Sequence, residues 1–529
     1  MAKNKDGLDR RETEKVYEEL FDEIKQTDME RRTVLRAFAG GGGLAVLNTL
    51  FAQKKFMGDN FASAMKAVEE NSDEIMGVQR VDEAPYEVDE SVHERHDGRN
   101  NDFTYYGDIH KWIAATGGKS RGPEYEETMI DEGKLVLDVS YGKKRIPNKF
   151  NPPRETTPEF ARATKAIQAT LAVPNQLLGP YSLPHQPYDV DQHIEYVDGD
   201  YLLDRDPDTT DPAALRNMID KIARIAGAGD WGVTDLQRSK KWVYSHAGDG
   251  REIVFENVQM PQDNEEQIVI PQDMDTILVG FKAEPLQFKR MSPTWAAQGG
   301  TQFGYGLNQL TARMIATFIR AMGYRALPAT GGIGLNVPLL IDAGLAEGGR
   351  HGRALHPQFG GNFRPWKIFT DLPFESDAWI NFGGEQFCQG CKLCADACPV
   401  NSIPYGEKTW KYEGETPSGW EEVTDVPYNI TKNEGVYKWY MNPMTCNRYT
   451  AENGSGGRSA CMVTCPFTQG RNWLHDIIRE VAGTSPSIDR TLVGMSEAFG
   501  YDKLHNPEET WETEFLPYAL FQDPSLGEN

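Results

Sequence analysis

From Asp211 to Gly229 apolar side chains recur at Leu215, Met218, Ile219, Ile222 and Ile225, a spacing that puts them on one face of a helix. Asp211 ahead of Pro212 predicts its start, an N-cap and a first-turn proline, and Gly227 and Gly229 predict its stop. The next segments change period. "WVYSHAG", "REIVFENV" and "TILVGFKA" are short, rich in β-branched and aromatic residues and bounded by turn formers, which predicts strands. The helical period returns in "NQLTARMIATFIRAMGYRALP", where Leu310, Met314, Ile315, Phe318, Ile319 and Met322 form a stripe closed by Gly323 and Pro328. Helices mixed with short strands predict an α/β or α+β domain over 161–375. Residues 53–160 are polar and charged, as in "DEAPYEVDESVHERHDGRNND", and read as an extension that wraps a core rather than forming one. Beyond 375 glycines and turn formers dominate, so 376–470 reads as a small domain in which bound clusters substitute for a hydrophobic core, with 471–529 as a C-terminal segment.

Composition narrows the chemistry. With 39% hydrophobic and 10% aromatic residues in 529, the chain has the material for a substantial core. A net charge of −24 opposes attraction to phosphate backbones, so no nucleic-acid partner is expected. All seven cysteines fall between 388 and 465. A disulfide framework would spread an even number along the chain; clustered thiols point to metal.

Near the start, "MERRTVLRAFAGGGGLAVLNTLFAQKK" sets Arg31-Arg32 ahead of Val34, Leu35, Arg36 and a weakly apolar run from Ala37 to Ala52. The run is shorter than the roughly 20 residues that span a bilayer, and four consecutive glycines make it a poor helix. Residues 1–52 resemble a twin-arginine (Tat) export signal, although Val34 stands where such signals prefer Phe. Tat carries folded proteins, which suits a polypeptide that assembles metal clusters among reduced thiols before export.

The stretch "FCQGCKLCADACPVNSIP" places Cys388, Cys391, Cys394 and Cys398 in the C-x2-C-x2-C-x3-C-P spacing of ferredoxins. In two-cluster ferredoxins the first three cysteines of a run serve one cluster and the fourth reaches across to the other. Cluster one is then held by Cys388, Cys391, Cys394 and Cys465, the last from a second run ending "CPF". Cluster two has Cys398, Cys446 and Cys461, with Arg458 where the spacing back from Cys465 wants a fourth thiol. Arginine offers no lone pair, so three thiolates suit a 3Fe-4S cluster, or a 4Fe-4S cube with one non-cysteine corner. A structural zinc site is a distant alternative, because four thiolates would satisfy it and three would be left over.

Together with "GYGLNQLTARMIATFIRAMGYRALP" and "PLLIDAGLAEGGRHGRALHPQFGGNFRPWKIFTDLP", these runs resemble the respiratory reductive dehalogenases. The resemblance implies an α/β (α+β) fold in which a nitroreductase-like cobalamin-binding domain is joined to a ferredoxin-like two-cluster domain. It implies an enzyme that removes halide from an organohalide at a base-off corrinoid, with cobalamin and two iron–sulfur clusters as cofactors. In keeping with base-off binding, the D-x-H-x-x-G pattern of histidine-ligated cobalamin proteins is absent. By the same likeness Tyr305 is the proton donor, Arg364 its partner and Thr301 a wall of the substrate pocket. Gly331 stands where tetrachloroethene-type members carry an asparagine, for which Asn336 is a substitute if the loop is shifted. In Ala343 to Gly352, Gly344, Leu345 and Gly348 are candidates to approach the corrin, since glycines let backbone come close to a flat cofactor. The partners implied are the Tat translocase, a small hydrophobic membrane-anchor protein and an upstream low-potential electron donor, with the chain peripheral on the outer face of the cytoplasmic membrane. Two alternatives stand beside this reading, an epoxyqueuosine reductase-like corrinoid enzyme and an exported two-cluster electron-transfer subunit.

Overall fold

The computed structural model describes residues 78–100, 211–414, 428–443, 445–446, 459–468, 482–498 and 502–512, with Arg479 and Gly500. The export-signal segment 1–52 and Arg458 lie outside these residues. Among the described residues no helix is long and apolar enough to cross a membrane.

The centre is a four-stranded antiparallel sheet of β2 (Asp230–Asp235), β6 (Thr276–Ala283), β7 (Ala326–Ala329) and β10 (Phe363–Thr370), in the order β2-β6-β10-β7. Helices α1 (Pro212–Ile225) and α3 (Trp295–Ala321) cover one face. There Leu215, Ile219 and Ala223 of α1 and Ala312, Ile315 and Ile319 of α3 pack on Val233, Leu278, Trp366 and Ile368. The opposite face packs on α4 (Asn336–Asp342) and on a small mixed sheet, in which β5 (Gln267–Pro271) runs parallel to β3 (Glu252–Glu256) and antiparallel to β4 (Gln262–Asp263). Strand β6 is buried from both sides, Ile277, Val279 and Phe281 facing one layer and Leu278 the other, as the two-residue period of a strand requires. Its partner Trp366 lies opposite Gly280, where an added Cβ would fall 2.3 Å from the indole.

Helix α1 starts as predicted, the Asp211 carboxylate accepting from the amides of Ala213 and Ala214. Its predicted stripe is only partly buried: Met218 and Ile225 are exposed, and Ala223 takes the place on the packed face. "TILVGFKA" is β6 and "REIVFENV" contains β3. "WVYSHAG" is not a regular strand. Val243 and His246 make isolated bridges, and the carbonyls of Val243, Tyr244 and Ile253 accept from the Arg95 guanidinium at 3.1, 2.5 and 3.0 Å. A side chain from the N-terminal extension thus takes the acceptors a neighbouring strand would have used. Of the segment 53–160 only residues 78–100 are described, and these lie on the core: β1 (Gln79–Val81) pairs antiparallel with β11 (Trp379–Asn381), and Tyr86, His93 and His96 pack against Trp242 and Tyr244.

Helix α3 begins thirteen residues before the segment from which the sequence pattern predicts it, with the Thr294 hydroxyl capping Ala297. Glycines at 299, 300, 304 and 306 argue locally against a helix. Close packing offsets that cost, and two of these glycines shape the site described next.

Candidate functional site

Tyr305 lies in α3, and Arg364 is the second residue of β10, on the sheet face that Trp366 and Ile368 also turn toward α3. The Arg364 guanidinium carbon stands 4.5 Å from the centroid of the Tyr305 ring. Behind it, Arg364 Nε donates to Glu284 Oε1 at 3.0 Å. Glu284 follows the last residue of β6 and is held by Asn362, whose Nδ2 donates to the Glu284 carbonyl at 2.9 Å. The other oxygen, Oε2, is 3.4 Å from Lys289 Nζ, and both side chains are completely buried. Lys289 belongs to α2 (Leu286–Arg290) and donates in turn to the Thr301 hydroxyl, one helical turn before Tyr305.

Small residues make this possible. A Cβ on Gly304 would lie 2.9 Å from Glu284 Cγ and 3.3 Å from Arg364 Cγ, and one on Gly300 would lie 3.4 Å from Lys289 Cδ. Three charges therefore sit against the glycine face of a helix, away from water. Burial pushes the Lys289 ammonium down to about 7; the Glu284 carboxylate supports its charge, while Arg364 and Arg353 oppose it. Tyr305, Arg364 and Thr301, singled out in the sequence, are thus joined by Glu284 and Lys289, which it did not single out. Asn336 is engaged elsewhere: its Oδ1 accepts from Lys367 Nζ at 2.6 Å, on the face of β10 opposite Arg364.

A cavity of about 320 Å³ opens beside α4, walled in part by Tyr86, Trp242, Asn336, Gly348, Gly349, Arg353, Lys438 and Trp439. Neither Tyr305 nor Arg364 lines it; Arg353 does, and its charge reaches Lys289. Of the three corrin candidates, Gly348 is on the wall, with room at its Cβ position until Glu385 Oε2 at 3.9 Å. Gly344 is instead a left-handed turn, φ 68°, pressed on the Ala378 carbonyl, and Leu345 is buried in the core. Asp342 braces the wall: its carboxylate accepts from Tyr86, Ser239, Trp242 and Trp379 at 2.6, 2.7, 2.9 and 3.0 Å.

The thiols gather near the cavity, and none of the seven is in a disulfide. Cys388 lies in α5 (Gly384–Gly390), whose first turn is held by Glu347, its carboxylate accepting from the amides of Phe382 and Glu385. Cys394 lies in α6 (Leu393–Asp396) and Cys461 in α7 (Ala460–Val463). Burial first, then the neighbouring Cys391 and Cys465, push the Cys388 thiol up; Cys394 is pushed up by burial and by Cys388, Cys391, Cys461 and Cys465. Cys391 rises to about 11 and Cys465 to about 12, burial again the main cause. Cys388, Cys391, Cys394 and Cys465 therefore share one neighbourhood. Cys461 neighbours Cys398 and the Arg353 guanidinium. Cys446 is brought to the Cys398 side by Ser402, whose hydroxyl meets that of Thr445 at 2.7 Å and whose amide donates to Cys398 Sγ at 3.2 Å. Both groups are embedded in apolar side chains, among them Phe387, Leu393, Phe467 and Ile403, so hydrophobic packing supports this region alongside whatever it binds. Among the described residues no three His, Cys, Asp or Glu side chains close around a point suited to one metal ion. A 4Fe-4S cube, with iron at alternate corners and sulfide between, holds its thiolates farther apart than a single tetrahedral ion does, so grouped but separated thiols fit clusters. Binding would release the protons that burial retains on the sulfurs.

No family model matches the chain. Its sequence is 32% identical over 334 residues to the tetrachloroethene reductive dehalogenase of Sulfurospirillum multivorans, covering 60% of this chain and 63% of that one. It is 28% identical over 328 residues to the tetrachloroethene reductive dehalogenase of Dehalobacter restrictus, covering 56% of each. The chain spans less than two thirds of the length of these curated relatives. Among solved structures, a catabolic reductive dehalogenase in complex with 3-bromo-4-hydroxybenzoic acid superposes with a TM-score of 0.52 at 18% identity, over 82% of this chain and 50% of that one. A reductive dehalogenase described as B12-dependent superposes with the same score at 19% identity and the same coverage. The chain is thus similar in sequence to tetrachloroethene reductive dehalogenases and shares a mixed α/β fold with solved reductive dehalogenases.

Proposed function

We propose that the chain replaces a halogen of an organohalide by hydrogen, consuming two electrons and one proton and releasing halide, in organohalide respiration. The observation that carries this reading is the guanidinium of Arg364 lying 4.5 Å over the Tyr305 ring with Glu284 fixed behind it. A phenol is ordinarily a poor acid at neutral pH. A guanidinium held against its ring favours the negative charge that develops on oxygen as the proton leaves, and attracts halide at the same place. Tyr305 gives the proton; Arg364 holds the resulting phenolate and the departing anion. Glu284 keeps the guanidinium from swinging away, and Lys289 with Thr301 fixes the helical turn before Tyr305.

A corrinoid, when bound, would supply low-valent cobalt as the reductant of the carbon–halogen bond. Residues suited to hold it are Tyr86, Trp242, Gly348, Gly349, Lys438 and Trp439 of the cavity, flat or small faces beside one amine. Cys388, Cys391, Cys394 and Cys465 would hold a 4Fe-4S cluster, and Cys398, Cys446 and Cys461 a second, 4Fe-4S or 3Fe-4S. We assign 161–375 to a nitroreductase-like catalytic domain and 376–470 to a ferredoxin-like one. Export by the Tat translocase, docking to a small hydrophobic anchor protein on the outer membrane face and supply from a low-potential donor complete the proposal.

Full-length protein reconstituted anaerobically with iron, sulfide and cobalamin, then assayed for halide release with a reduced viologen over chlorinated ethenes, ethanes and phenols, tests it. Release from one class, abolished in Tyr305→Phe while corrinoid absorbance is retained, is expected. Bound corrinoid with no release from any substrate refutes dehalogenation, and an active Tyr305→Phe removes Tyr305 from its role.

A further inference from the structure

Between β8 (Glu347–Gly348) and β9 (Ala354–Leu355) a tight turn presents two different surfaces. Gly348, Gly349 and Arg353 face the cavity. Arg350 points the other way and is among the largest fully buried side chains, with no exposed surface. Its Nε donates to the carbonyls of Cys388 at 2.8 Å and Cys391 at 3.1 Å, and Nη2 to that of Gln389 at 3.1 Å. Its Nη1 donates to the carbonyls of Pro404 and Gly406 at 2.9 and 2.7 Å. The guanidinium carbon lies 4.9 Å from the ring centroid of Trp439, a cavity wall. Among the described residues no carboxylate pairs with Arg350; five carbonyl dipoles and the Trp439 ring surround its charge.

Burying an arginine without a carboxylate is costly, and an apolar side chain could fill the space. The cage has a chemical use if its occupant must remain positive beside something that becomes more negative. We propose that Arg350 is a positioning residue for cluster one: it clamps the Cys388–Cys391 turn in its ligand-ready form, and its charge raises that cluster's reduction potential relative to cluster two. This rests on the reading of the thiols as iron–sulfur ligands. A cluster gains one negative charge with each electron it accepts, so a fixed cation held on the carbonyls of two of its cysteines favours the reduced state. Cluster two has no contact with this guanidinium among the hydrogen bonds Arg350 makes. The Arg350 charge therefore acts chiefly on cluster one, while Cys461 of cluster two has the Arg353 guanidinium as its own neighbour.

The test uses the full chain loaded anaerobically with iron and sulfide, as wild type, Arg350→Met and Arg350→Lys, with iron and sulfide content measured and each protein titrated potentiometrically under EPR. Two midpoint potentials are expected for wild type; in Arg350→Met one falls and the other stays. Arg350→Lys keeps the charge but loses the fork, so it retains the potential of the affected cluster more nearly while loading less completely. Unchanged potentials in a fully loaded Arg350→Met, or an equal shift of both clusters, overturns the proposal. Failure of the wild-type chain to take up iron and sulfide would instead overturn the cluster reading on which it rests.

Discussion

Replacing Glu284 by glutamine keeps the shape of the side chain and removes one negative charge from between two cations. Glu284 and Lys289 are fully buried and the Arg364 side chain is 7% exposed, so solvent screens none of this appreciably. Breaking a buried ion pair by removing one partner costs about 3–5 kcal/mol, because the remaining charge is left in a poor solvent. Here the two cations respond differently. Arg364 cannot give up its proton, whereas Lys289 already titrates at about 7 and, without the carboxylate that supports its charge, titrates lower still. At pH 8 the lysine is neutral in both proteins, and Arg364 alone carries the loss, about 3 kcal/mol, the lower end of the range. Below pH 7 wild type gains from binding a proton at Lys289 that the variant cannot bind as well. Each pH unit then adds up to about 1.4 kcal/mol to the difference. Urea unfolding of the apo chain, reduced and anaerobic, followed by tryptophan fluorescence at pH 6 and pH 8, measures both quantities. A Glu284→Gln, Lys289→Met double variant is expected to lose the pH dependence of the difference and keep the loss due to Arg364. A loss under about 1 kcal/mol at pH 8, or an equal loss at pH 6, would refute the reasoning.

Lys367, fully buried and held down to about 7 by burial, donates to the Thr330 carbonyl at 2.7 Å and to Asn336. Its folded value lies below the unfolded one, so its contribution is present above the ordinary lysine range near 10.4 and is lost as pH falls toward 7; Lys367→Met should flatten the stability profile of the apo chain between pH 7 and 10 by up to about 1.4 kcal/mol per unit. An unaltered slope in calorimetric melts across that window rejects it. Asp342→Ala strands four donors, each worth roughly 1–3 kcal/mol when left unsatisfied, and should cost at least about 3 kcal/mol in all. Denaturant titration giving less than about 1 kcal/mol would show that the four donors find other partners. Gly280→Ala forces a methyl to 2.3 Å from Trp366 and 2.8 Å from the Asp230 carbonyl, an overpacking cost of about 1–3 kcal/mol, visible as a lower urea midpoint. A midpoint matching wild type would mean that the indole moves aside freely.

Features written in contiguous residues were readable from the chain alone. The β6 segment, the capped start of α1 and the ferredoxin spacing of Cys388 to Cys398 each depend on neighbours a few positions apart. Where a distant group intervenes, local pattern misleads. "WVYSHAG" has strand composition, but Arg95, far away in sequence, occupies its carbonyls. The glycines before Asn308 lower helix propensity, yet they let Glu284 and Arg364 reach the backbone of α3. Tyr305 and Arg364 were singled out through family likeness rather than physics. Glu284, Lys289, Asp342 and Arg350 carry no local signature: one glutamate among 79 acidic residues looks like any other until the sheet register sets it against β10.

The sequence by itself therefore determined the thiol runs, the strand composition of β6 and the likeness to the reductive dehalogenases, because spacing and composition are local properties of a polymer. Only the tertiary structure decided that Glu284 stands between Arg364 and Lys289, that Gly348 faces the cavity while Gly344 does not, and that Arg350 grips the carbonyls of Cys388 and Cys391. Those facts depend on which distant segments the core brings into contact. A buried charge acquires its partner and its energy only when that packing removes the water.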